Sequence, residues 1–440
     1  MTTVTRDIDT NINDILPTPL YQVGNPLTDD MLTPTNSLLF GSISRTSMSN
    51  GKTATVNGGE NIQVAIDAIY KAGGGEVILL PGTYILKENL SIPSGVTVKG
   101  SARDNVLIDC NQDYSVNIVG ELIYSTGTVT IAVGETTVVG SGTTWTSDMV
   151  DKYILLDDSY YKITAFNSTT SLTIEYGLTG ESVSGGSYVI VTPNFNPTLS
   201  SVTIFNRTVA GVKVQYVIEP ILDNIIVYSC GIGFDIDDTL YVKLVTGASD
   251  NVINVSANRM FGFKIDFSSF ESATSGDGIT LTDCGNATVI DSLFSGNSDS
   301  GISLTNCRKI AFLSLTMASN GNNGVEFVSG NRDMQFIGVS IDGNTNDGIR
   351  LTDSTDRIAM STSTITNSSG YGINILSSTC DNNNITTISF NNNTLGNIID
   401  NGTNTNYVGA DSVLTTPTSL VANLPTVQAS QGYNSPTAYT

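Results

Sequence analysis

From residue 278 onward, apolar and polar positions alternate in short runs, each opened by a glycine. The runs read GITLTDC (278–284), GISLTNC (301–307), GVEFVSG (324–330), GIRLTDS (348–354) and GINILSS (372–378), with a shorter GNIID at 396–400. Ile279 and Leu281 alternate with Thr280 and Thr282. The pattern recurs as Ile302/Leu304, Val325/Phe327, Ile349/Leu351 and Ile373/Ile375. Period-two alternation rich in β-branched residues predicts a strand with one buried face. A second apolar strand follows a polar turn in each unit, through Val289 and Leu293, Ile310 and Leu313, Phe336 and Val339, and Ile358 and Met360. The leading glycines recur every 23 or 24 residues, a period too short for a folded domain and typical of one coil of a solenoid. No helical segment fits between the strands, which disfavours leucine-rich repeats. Asn297, Asn320, Asn344 and Asn392 stand four residues before a glycine, where stacked turns favour side-chain-to-backbone hydrogen bonds. The pattern predicts a parallel β-helix with coils stacked about 4.8 Å apart.

Upstream the pattern changes twice. In residues 51–120, Ile62, Ala65, Ile66 and Ile69 keep helical spacing until Gly73–Gly75. Strands follow at 76–80, 83–86 and 96–98. A short amphipathic helix there is expected to cover the open end of the β-helix, where bare strand edges invite aggregation. Residues 121–195 break the coil register with short strands joined by Gly, Ser and Asn turns, and hold the only tryptophan, Trp145. They read as a small β-barrel inserted into a loop of the solenoid. The coils resume over 196–405. Residues 1–50 and 406–440 carry no repeat and few apolar anchors, and read as docking segments rather than cores of their own.

Composition narrows the chemistry. Histidine is absent, which removes Ser-His-Asp hydrolysis, Cys-His nucleophiles and His-ligated zinc together. A net charge of −22 disfavours nucleic acid and anionic membrane as partners and favours solubility. Five cysteines without framework spacing argue against a disulfide scaffold, and Cys284 and Cys307 are expected to stack as small apolar thiols. Residues 1–20 lack the basic start and apolar core of a signal peptide, and no apolar run reaches spanning length. No cofactor is expected.

The run IQVAIDAIYKAGGGEVILLPGTYIL…LSIPSGVTVKGS, residues 62–101, resembles the opening of the pectate-lyase-like β-helix superfamily, in which phage tailspikes and many polysaccharide-active proteins begin this way. The insert, with TVVGSGTTWTS…KYILLDDSYYKITAF…SLTI, resembles a module recurrent in tailed-phage virion proteins. The resemblance implies an all-β, right-handed parallel β-helix on a phage particle, assembled in the bacterial cytoplasm. It also implies a homotrimer that docks on other virion proteins through 1–50 and 406–440 and meets host cell-surface polysaccharide. The expected function is a structural spike, fibre or decoration protein; the alternative is a tailspike depolymerase, a glycoside hydrolase or polysaccharide lyase.

Candidate chemistry rests on outward ladders. The position two after the glycine aligns Asp235, Lys264, Thr280, Ser303, Glu326, Arg350 and Asn374, with Glu326 and Arg350 expected to pair. A catalytic carboxylate pair needs a separation of about 5–9.5 Å, one or two rungs. Asp277, Asp299, Asp347 and Glu326 are the candidates. Asp235, Asp237 and Asp238 form an acidic cluster that is a candidate calcium site. Trp145, Tyr160 and Tyr161 are candidate ligand-binding aromatics of the insert, although Trp145 reads first as core. Phe294, Phe312, Phe327, Phe336 and Phe390 are expected to face inward, which leaves Tyr228, Tyr241, Phe261 and Tyr371 as aromatics for a saccharide groove. Asp and Asn are also the ordinary residues of tight turns.

Overall fold

The computed structural model describes residues 43–44, 53–157 and 159–408. Apart from 43–44 and 406–408, the arm expected at 1–50 and the tail expected at 406–440 lie outside the described residues. The chain winds into a right-handed parallel β-helix. A complete coil carries three strands, such as Ile302–Thr305, Arg308–Leu313 and Thr316–Ala318, each paired in parallel with its counterpart one coil on. The last strand among the described residues, Asn406–Val408, still pairs with Asn384–Thr386.

Strand alternation fills the interior. Ile279, Leu281, Ile302, Leu304, Val325 and Phe327 are all buried. The predicted inward phenylalanines stack along the axis, with Phe312 and Phe336 rings 4.5 Å apart and nearly parallel. Phe294 is likewise buried and Phe390 packs against the core from a partly buried position. Leu293 and Leu313, expected inside, are half-buried on the outer side. In Arg308–Leu313 the alternation that buries Ile310 and Phe312 turns Leu313 outward, and in Leu293–Ser295 Phe294 takes the single inward position.

Two adjacent columns turn each coil. Ser272, Gly296, Ser319, Gly343, Asn367 and Asn392 take left-handed backbone at the same corner. The next column holds Asn297, Asn320 and Asn344, whose buried side chains bond from coil to coil. Asn392 therefore belongs to the left-handed column, where Asn and Gly are tolerated. Asn393 takes the ladder position, accepting from the Ser368 amide. A substitution at Gly301 meets this crowding: a Cβ would lie 2.8 Å from the Gly324 carbonyl oxygen.

The helix Ile62–Lys71 starts at Asn61, whose side chain accepts from the Gln63 amide, and ends before Gly73 in left-handed backbone. Its Ile62, Ala65, Ile66 and Ile69 join the solenoid core over the first coils.

The insert leaves the stack without interrupting it. Val116–Val119 pairs directly with Val212–Gln215, so the coils before and after are neighbouring rungs. The excursion forms one eight-stranded antiparallel sheet running from Val183–Gly186 through Thr128–Ile131, Thr137–Ser141, Ser171–Ile174, Ser159–Ser168, Tyr153–Leu156 and Val189–Thr192 to Glu121–Tyr124. Its separate core includes Trp145, Ile154, Tyr161, Ile163, Leu172 and Ile190. An apolar seam of Leu155, Tyr160 and Val191 against Tyr216, Leu240 and Phe261 seats it on the solenoid.

Candidate functional site

The cross-coil register defines the outward columns. One runs Asn117, Lys213, Asp235, Ser256, Thr280, Ser303, Glu326, Arg350 and Asn374. Ser256 takes the place expected for Lys264, which instead aligns with Lys243 and Thr288 on the next face of the coil. Burial pushes the Asp235 carboxyl above its usual range, with Lys213 opposing.

Beside this ladder runs a turn column of Asp277, Ser300, Asn323 and Asp347, in which each side chain accepts from a backbone amide one coil on. Asp277 Oδ1 accepts from the Ser300 amide at 3.0 Å, Ser300 Oγ from Asn323 at 3.4 Å, Asn323 Oδ1 from Asp347 at 3.1 Å, and Asp347 Oδ1 from Tyr371 at 2.8 Å. Asp299 lies one position outside this column and accepts from Asn322 Nδ2 at 2.8 Å.

Three of the four candidate carboxylates gather around Ser300. Its amide bonds Asp277 and its hydroxyl lies 3.4 Å from Glu326 Oε2, while Asp299 is its chain neighbour. Asp277 is pushed up to about 6, chiefly by burial, with the charges of Asp299 and Glu326 adding to it against hydrogen bonds from Thr280 and Ser300. A carboxyl that holds its proton near pH 6 beside a second carboxylate is the pairing that general acid–base chemistry requires. Asp347 stands apart: it is 2 % exposed, and Tyr371 and Asn374 occupy its two oxygens.

Glu326 and Arg350 are rung neighbours, but the expected ion pair does not form among the described residues. The buried Arg350 Nε and Asn323 Nδ2 have no protein partner. Thr280 and Arg350 already stood in the outward ladder, whereas Ser300 and Asn323 are the site members that sequence reading did not assign. Their signal was the shared column, visible once each coil is counted from its own glycine.

The other candidates do not assemble. Trp145 and Tyr161 are fully buried in the insert, and Tyr160 is 4 % exposed with its hydroxyl donating to the Asp238 carbonyl at 2.7 Å. None offers a platform to a ligand. Asp238 gives both of its oxygens to Arg259, at 2.5 and 2.7 Å, and the same guanidinium lies 3.8 Å from Asp237 Oδ1, so an arginine occupies the place expected for a cation. Among the described residues no group of three carboxylates or thiols is arranged to hold a metal ion. Phe261 is buried in the seam, Tyr228 stacks on Phe205 at 5.4 Å, and Tyr241 is exposed. The five cysteines are buried free thiols, and the Cys284 and Cys307 side chains meet across neighbouring coils.

Residues 251–395 match the family described as right handed beta helix region. Among solved structures, the chain is similar to the A-module of the mannuronan C-5 epimerase AlgE4 of Azotobacter vinelandii, at 16% identity, with 79% of this chain and 92% of that chain covered and a TM-score of 0.37. It is similar to ORF18 of Geobacillus virus E2, at 12% identity over 80% of this chain and 61% of that one, with a TM-score of 0.45. The tailspike gp61 of Pseudomonas phage phi297 is 12% identical over 81% of this chain and 67% of its own, with a TM-score of 0.41. No curated protein matches the chain.

Proposed function

We propose that this chain is a structural protein of a tailed-phage particle, a β-helical spike, fibre or decoration protein whose ladder face meets host cell-surface polysaccharide. The observation that carries the reading is the polar column from Asn117 to Asn374, in register across consecutive coils of a rigid shaft. It presents amide, hydroxyl and carboxylate groups at a spacing of about 4.8 Å, suited to a repeating polar polymer. The insert's resemblance to a virion module supports the same reading. In it, residues 1–50 and 406–440 dock on other virion proteins and the chain assembles as a homotrimer. Antibody labelling of purified particles under the electron microscope tests the placement, and particles without label overturn it. A solution mass of one chain at high concentration removes the trimer.

The second reading, a depolymerase, is favoured by one observation: Asp277, protonated up to about 6, shares Ser300 with Glu326. In this reading Asp277 donates a proton to the glycosidic oxygen and Glu326 acts as the second carboxylate. Incubation with host capsule or lipopolysaccharide decides between them. Oligosaccharide release that disappears in Asp277→Asn and Glu326→Gln establishes cleavage; binding without release leaves the structural role.

A further inference from the structure

The seam between insert and solenoid is closed at its apolar centre and open beside it. There the two surfaces leave a cleft of about 360 Å³, a volume in the range of small-ligand sites, which favour such junctions. The insert supplies Asp157, Tyr188 and Val189 to its wall; the solenoid supplies Asp238, Arg259 and Arg308.

The polar groups of the cleft are held in place before any ligand arrives. Arg259 spends Nε and one Nη2 proton on Asp238, which is 1 % exposed, and the Nη1 protons remain for a ligand. Arg308 binds Asp157 at 2.7 Å across the junction, both side chains 17% exposed, and lies over the Phe261 ring at 5.5 Å. Asn306 donates to Asp283 at the rim. Leu155, Val189 and Phe261 add an apolar surface between these groups. Fixed donors and acceptors flanking an apolar patch match a sugar ring, with hydroxyls around its edge and C–H groups on its face. Three aspartates against two arginines, on a chain of net charge −22, select against an anionic sugar.

We infer that this cleft is a binding site for an uncharged saccharide unit, a neutral hexose or an N-acetylhexosamine, completed only when the insert is seated on the solenoid. The inference rests on the reading of the chain as a polysaccharide-facing protein and adds a second contact, at the corner that ends the ladder strands.

The protein carries its own reporter. Trp145 is the only tryptophan, and its Nε1 donates to the Tyr188 hydroxyl at 2.8 Å, with the rings edge-on at 5.8 Å. Tyr188 lines the cleft, so occupancy perturbs Trp145 emission. The full chain is titrated with methyl glycosides of glucose, galactose, mannose, rhamnose, N-acetylglucosamine and N-acetylgalactosamine, and with glucuronate and galacturonate. The expected result is a saturable emission change with at least one uncharged sugar and none with the uronates. The exposed Ser187→Tyr, which fills the cleft without breaking an ion pair, weakens that response tenfold or more. Ser184→Tyr, the same substitution at an exposed position outside the cleft, leaves the response to the uncharged sugar intact and shows that the insert tolerates an added tyrosine. Response only to uronates, no response to any sugar, or a response unchanged in Ser187→Tyr overturns the inference. Binding of intact host capsule that persists in Ser187→Tyr overturns the cleft alone and leaves the polysaccharide-facing reading in place.

Discussion

Asn297 Nδ2 donates to Asn320 Oδ1 at 3.0 Å, and Asn320 passes the pattern on to Asn344 Oδ1 at 2.9 Å. The same Asn320 oxygen accepts from the Asn297 backbone amide, and its Nδ2 also reaches the Phe294 carbonyl. Asn320→Ala strips partners from several buried groups at once. The expected loss is about 2–4 kcal/mol of unfolding free energy, since each buried group left unsatisfied costs roughly 1–3 kcal/mol. Denaturant unfolding monitored by circular dichroism checks it; a loss under about 0.5 kcal/mol refutes the ladder's role.

Arg259 and Arg332 separate buried from exposed charge pairing. Arg259 neutralises Asp238, which is 1 % exposed, whereas the Arg332–Glu181 pair is 39% and 73% exposed. Arg259→Met strands a buried carboxylate, and about 3–5 kcal/mol is expected to be lost. Arg332→Ala is expected to change stability by about 0–1 kcal/mol. Equal effects in paired melting curves contradict the assignment.

Asp277 predicts a pH dependence with a definite sign. Its carboxyl rises from an ordinary 3.8 to about 6, mainly through burial. The folded state therefore holds a proton that the unfolded chain releases. The associated penalty is absent below pH about 4 and complete above pH about 6. Asp277→Asn is expected to gain on the wild type by on the order of 2 kcal/mol between pH 4 and pH 7. Unfolding free energies of both proteins at the two pH values test this, and a constant difference rejects it.

Gly301→Ala probes how tightly the coils approach. The added Cβ would sit 2.8 Å from the Gly324 carbonyl oxygen and 2.9 Å from Asn320 Nδ2. Because the first of these atoms is backbone, the coils must separate locally, at an expected cost of about 1–3 kcal/mol. Gly59→Ala, at a left-handed position with nothing within 4 Å of the added carbon, carries only backbone strain and separates the two effects. A Gly301→Ala protein as stable as the wild type removes the crowding argument.

Much of the architecture was legible because it is local and repeated. The alternation of Ile302 and Leu304 with Ser303 fixes one strand, and the same pattern 23 or 24 residues later fixes its neighbour. The helix at Ile62–Lys71 announced itself through its spacing and its glycine stop. The candidate site was half legible. Asp277 and Glu326 do approach one another, but through Ser300, and Asp299 falls one position outside their column.

The sequence by itself determined that the chain winds into parallel coils and which residues of the glycine-led strands face the core. Hydrophobic alternation decides these within a few residues, and repetition reinforces it. Only the tertiary structure decided which polar side chains share a column, because a bulge or an extra corner residue shifts the register. The step between Leu304 and Thr305 is one such shift, and the replacement of Lys264 by Ser256 in the ladder is another register outcome. It also decided that Trp145, Tyr160 and Tyr161 lie inside rather than facing a ligand, and that a charged cleft opens beside them. Those outcomes depend on contacts between distant residues, such as Tyr160 with Asp238, which local alternation does not encode.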